Sequence, residues 1–74
     1  MGNNEYVKKH IAEIIKKELK CKGLSYREAA NRIENFSYTQ LTRITGSKNY
    51  SISTLGKVLE LLDLEIIIKE KGDN

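Results

Sequence analysis

The stretch Leu24–Gly46, LSYREAANRIENFSYTQLTRITG, decides the fold. It reads as two short helices joined by a tight turn. Ser25 offers a hydroxyl that can cap the free amides of a helix start, and Glu28, three residues on, completes the spacing of a capping box. Ala29, Ala30 and Ile33, led in by Leu24, form the inner side of this first helix, predicted over residues 25–35. Adjacent alanines let another helix cross closely and cost little helix propensity. The pattern breaks at Glu34-Asn35-Phe36 and restarts at Ser37, a second N-cap candidate. The helix that follows, predicted over 37–45, hides Leu41 and Ile44 on one stripe and stops at Gly46. Tyr38, Thr39, Thr42 and Arg43 are left on its open side. A short helix showing those four side chains suits a major groove.

This arrangement resembles the helix-turn-helix of phage-repressor-like transcription regulators, the xenobiotic-response-element family. Lys22-Gly23-Leu24-Ser25 is similar to that family's KGLS lead-in to its second helix. Arg43-Ile44 stands where the family often has an Arg-Ile pair. Ser51-Ile52-Ser53-Thr54-Leu55-Gly56-Lys57-Val58-Leu59-Glu60-Leu61-Leu62 resembles its fourth helix. The resemblance covers about Ile11 to Leu64. Each motif is weak alone, and specificity comes from their order and spacing. The turn Glu34-Asn35-Phe36 departs from the family by one extra residue and a missing glycine. Asn35 can supply the left-handed conformation that glycine normally provides. Otherwise the second helix rotates and its outward residues shift.

Outward from this unit, residues 5–21 read as one long helix whose apolar stripe is Val7, Ile11, Ile14, Ile15 and Leu19. Lysines cover much of the remainder, and Gly23 stops the helix. His10 lies beside the stripe with no second ligand at i+3 or i+4, so a surface position is expected rather than a metal site. Cys21 is the single cysteine and has no disulfide partner within the chain. A fourth helix is predicted over 53–62, with Ile52, Leu55, Val58, Leu59 and Leu62 inward. Gly56 inside it costs about 1 kcal/mol against Ala, which a close helix contact would explain. Residues 65–71 then change pattern: Ile66, Ile67 and Ile68 in a row, flanked by charges, favour a strand. The resemblance includes a subset of antitoxin-like and phage-derived regulators that end in such a strand. With no second strand candidate in the chain, the simplest partner is the same strand of another copy, antiparallel across a two-fold axis. The expected fold is therefore mainly all-α, a single four-helix helix-turn-helix domain with a short strand that pairs in a homodimer through Ile66, Ile67 and Ile68.

Seventy-four residues make one domain near the lower limit for a stable core. The net charge is +3, unevenly spread. Residues 1–57 hold 11 Lys and Arg against 5 Glu, a net +6, whereas residues 58–74 hold 2 Lys against 5 Asp and Glu, a net −3. A basic front fits a face turned to phosphates, although lysine-rich helices are also ordinary solvated surfaces. No secretory signal or membrane-length apolar run is evident, and a reducing cytoplasm is the simplest setting. One His and one Cys build neither a triad, a CxxC nor an HExxH site, and no phosphate-cradling glycine loop is present. Enzymatic activity, cofactors and bound metals are not expected.

The helix-turn-helix reading assigns roles to particular residues. Tyr38 and Thr39 would reach base edges or a thymine methyl. Arg43 would bond a guanine edge or a phosphate, and Gln40 would read adenine or touch backbone. Tyr38 can alternatively cap the core as a partly buried ring. Ser37 and Thr42 share the same surface. Tyr26 and Arg27 would meet phosphates at the start of their helix. Ser47, Lys48 and Asn49 form either a phosphate clamp or an ordinary polar connector. The expected function is sequence-specific duplex-DNA binding by a dimeric regulator, a repressor by analogy. The competing class is an antitoxin-like module that binds a toxin or other protein partner, with or without DNA.

Overall fold

The structure is a computed structural model that describes residues 2–67, with side chains from Glu5 onward. Four helices make up the described chain: α1 (Gly2–Cys21), α2 (Tyr26–Asn31), α3 (Tyr38–Thr45) and α4 (Ile52–Leu61). α3 lies at the centre, with α1, α2 and α4 all packed on it. The core is built from Ile15 and Leu19 of α1, Ala29 of α2, Leu41 and Ile44 of α3, Leu55 and Val58 of α4, and Leu62. Ile33, Phe36, Tyr50, Leu59 and Leu64 pack against it from the side.

Local hydrogen bonding explains where the helices start. Ser25 caps α2, accepting from the Glu28 amide at 3.1 Å, while the Glu28 carboxylate accepts from the Ser25 amide at 2.9 Å. α3 opens with the same device: Ser37 Oγ accepts from the Gln40 amide at 3.3 Å and Gln40 Oε1 accepts from the Ser37 amide at 2.9 Å. Ser51 caps α4 through the Thr54 amide at 3.1 Å. Each reciprocal pair satisfies two amides that a helix start otherwise leaves open.

The ends are equally specific. α1, α3 and α4 each close with a left-handed residue: Gly23 (φ 68°), Ser47 (φ 60°) and Asp63 (φ 59°). Behind each, the next amide reaches back to the third-last helical carbonyl: Leu24 to Leu19 at 2.9 Å, Lys48 to Arg43 at 2.8 Å, Leu64 to Leu59 at 2.8 Å. These are Schellman closures, only one of which uses glycine. Gly46 itself has φ −93°, so its conformation does not demand glycine. A Cβ there would lie 3.0 Å from the Thr42 carbonyl oxygen, a tight approach that a larger residue meets only if the last turn gives by a few tenths of an ångström.

Several expectations change. α1 begins at Gly2 rather than at residue 5, and α4 starts at Ile52, one residue ahead of the expected start. α2 ends at Asn31 instead of reaching residue 35, with Arg32 as its C-cap and Asn35 left-handed at φ 56° in the turn beyond. Ile33 still packs on the core from the turn. Ile52, expected inward, is 82% exposed as the first residue of α4. Val7 and Ile14 are also exposed, and buried Ala12 takes a place on the inner face of α1. The contact expected to explain Gly56 is absent: a Cβ there would meet nothing within 4 Å. Of the strand expected over 65–71, Glu65–Ile67 carry no strand pairing in the single chain, and residues 68–71, Ile68 among them, lie outside the described residues. No described helix is long and apolar enough to cross a membrane.

Candidate nucleic-acid interface

α2 and α3 present their starts to one another. The Arg27 guanidinium lies over the Tyr38 ring, 4.5 Å from its centroid. Such a cation–π contact contributes about 0.5–1 kcal/mol at an exposed site. It also fixes a positive charge at the first turn of α3. Tyr38 keeps 41% of its surface exposed, so its ring is a platform for the arginine rather than a plug in the core. Tyr26 differs: it is half-buried with its ring against the core, which leaves Arg27 as the outward residue of the pair.

Along α3, Thr39 and Arg43 are four residues apart and both exposed, so they share one face. Tyr38 and Thr42 form the neighbouring row. The Thr42 hydroxyl donates to the Thr39 carbonyl at 2.8 Å, which ties its polar group into the helix. Thr45 is buried and donates to the Leu41 and Thr42 carbonyls, both at 3.3 Å. Ser37 and Gln40 are occupied with capping α3. Bidentate reading of adenine by Gln40 would give up the bond that its Oε1 accepts from the Ser37 amide. The signal was in the sequence: Ser37-Tyr38-Thr39-Gln40 has the S-x-x-Q spacing of a capping box.

Beyond α3, the Schellman closure sets Lys48 next to the last turn through the bond from its amide to the Arg43 carbonyl. Lys48 and Asn49 are both exposed. Asn49 also meets α1: Lys8 Nζ donates to Asn49 Oδ1 at 2.8 Å. The same ammonium lies 6.0 Å from the centroid of the Tyr50 ring. Burial raises the Tyr50 pKa above its ordinary value, so its phenol stays protonated at neutral pH. Lys8 was not among the sequence candidates, because its partner lies 41 residues away. At the start of α2, the Ser25 amide and hydroxyl hold the Glu28 carboxyl below its ordinary pKa.

The structure thus brings Arg27, Tyr38, Thr39, Thr42, Arg43, Lys48 and Asn49 to α3 and its two ends, with Ser47 in the closing turn. Among the described residues there is no group of three potential metal ligands. No protein-family model, curated protein or solved structure matches this chain.

Proposed function

We propose that this chain is a sequence-specific duplex-DNA-binding regulator of the phage-repressor-like kind, a repressor that acts as a homodimer and not as an enzyme. The observation that carries this reading is the face of α3. Thr39 and Arg43 stand exposed along it, Arg27 is stacked at its start, and Lys48 follows its end. α3 enters the major groove, Tyr38, Thr39 and Arg43 meet base edges, and Arg27 and Lys48 hold flanking phosphates. Selection of bound sites from random duplexes tests this directly. An enriched inverted repeat is expected, and no enrichment would overturn the reading. Arg43→Ala should cost about 1–3 kcal/mol and relax preference at one base pair, whereas Lys48→Ala should weaken all sequences alike.

The dimer forms through residues 65–71, whose strands pair antiparallel across a two-fold axis. Ile66 and Ile67 are exposed in the single chain at 54% and 70%, which supports a covering partner. The axis sets two copies of α3 about one turn of DNA apart, roughly 34–36 Å. Truncation after Leu64 should give a monomer that binds DNA far more weakly, read by sedimentation and titration. An unchanged dimer would move the interface elsewhere. Exposed Ile14 and Ile66, which line one apolar cleft, also favour a second reading, an antitoxin-like module that docks a different protein. A purified chain that stays monomeric and binds no duplex would select that reading.

A further inference from the structure

We propose that Lys8 and Lys9 of α1, with Ser47 and Asn49 from the turn after α3, form a seat for one backbone phosphate of duplex DNA. This rests on the DNA-binding reading above. Lys8 occupies the inner stripe of α1: Ala12, Ile15 and Leu19 follow it at four, seven and eleven residues, and all three are buried. The core ends one turn short of Lys8, and its ammonium emerges against the loop. There it is held by Asn49 Oδ1 at 2.8 Å and by the Tyr50 ring at 6.0 Å. An ammonium has three donors, so two remain after the bond to Asn49. Lys9 and Ser47 line the same open cleft of about 450 Å³, with Glu5 as its acidic neighbour. Two lysines against one glutamate leave a net +1, which matches the single charge of a phosphodiester. The Ser47 hydroxyl adds a neutral donor. A cation is repelled by this balance. Because Ser47–Asn49 directly follow α3, the phosphate held here borders the groove that α3 occupies. Asn49 acts as a positioning residue, fixing the lysine that bears the charge.

The test is a salt series of binding to a short random-sequence duplex with the full chain. Each phosphate neutralised contributes about 0.9 to the slope of log K against log salt. Lys8→Gln should lower the magnitude of that slope by about 0.9, and Lys8→Arg should keep it. Lys20→Gln, at the far end of α1, should leave the slope unchanged. Asn49→Ala should weaken binding, and adding it to Lys8→Gln should have little further effect, because the two act as one unit. Thermal melts of each variant separate folding loss from binding loss, and Lys8→Arg preserves the test if the glutamine variant unfolds. Wild-type binding with an unchanged Lys8→Gln slope would overturn the phosphate seat alone. So would an equal loss in Lys20→Gln, or full additivity of Lys8→Gln with Asn49→Ala. Absence of wild-type binding at the lowest salt would overturn the DNA reading itself.

Discussion

In the α2–α3 unit, both helices start at a serine whose hydroxyl and amide exchange hydrogen bonds with a residue three positions on. Along the outer side of α1 and residues 64–67, by contrast, Val7, Ile14, Ile66 and Ile67 stand in water, and no local bond fixes what covers them. The first region is specified by short-range hydrogen-bond chemistry and is complete in one chain. The second is apolar surface whose arrangement depends on neighbours distant in sequence, or on another molecule. Helices as short as α2 and α3 are marginal in isolation. Their caps and their packing on α1 and α4 must therefore act together.

The sharpest way to break that unit is Leu41→Ala. Leu41 is fully enclosed in α3, and its truncation should destabilise the chain by about 2–5 kcal/mol, measured by urea titration. A loss near zero would mean that α3 does not organise the core. Ser25→Ala is a smaller break, about 1 kcal/mol, because it removes one cap and leaves the packing intact. It carries a pH signature. The folded Glu28 carboxyl titrates below its unfolded value, so its stabilisation is full above the ordinary carboxylate value and is lost as pH falls through the folded one. In Ser25→Ala the Glu28 pKa should rise toward the ordinary value, which a carboxyl NMR titration reads, and the acid-side loss of stability should shrink.

The contrast is sharpened on α4. Gly56→Ala should stabilise the chain by about 0.5–1 kcal/mol, since the added methyl meets no neighbour and removes backbone freedom from the unfolded chain. A destabilised variant in a thermal melt would reveal a contact made only in an assembly. Ile52→Ala should change stability by less than about 0.5 kcal/mol, although the same apolar pattern marks Ile52 and Leu55.

These residues also show how far the sequence can be read. Ser25, Glu28 and Ser37 were legible because capping is a rule about neighbours three residues apart, and Asn35 because few residues other than glycine accept a left-handed turn. The length of α2 was not legible. Ile33 continues the helical apolar spacing yet packs from a turn, and periodicity alone does not separate the two. Ile52, Val7 and Ile14 were assigned inward on spacing, but where the core ends is decided by the length of the helices facing them. At the candidate interface, Thr39, Arg43, Lys48 and Arg27 were named on pattern, and the structure leaves all four exposed. Gln40 has a capping role at Ser37 that its reading as an adenine or backbone contact left out. Lys8 needed the fold, since only the docking of α1 brings it to Asn49.

The central position of α3 has a consequence for its motions. Its inner face holds Leu41, Ile44 and Thr45 against three other helices, so its amides can exchange with solvent chiefly when the whole domain opens. Its backbone should be among the most protected in the chain, slower to exchange deuterium than α2 or the ends of α1. On the proposed DNA-binding reading, a surface mounted on such a support would have little freedom to adapt to a mismatched target. Changes of target would then come from exchanging exposed side chains at 38, 39 and 43, which leaves the packing beneath them untouched.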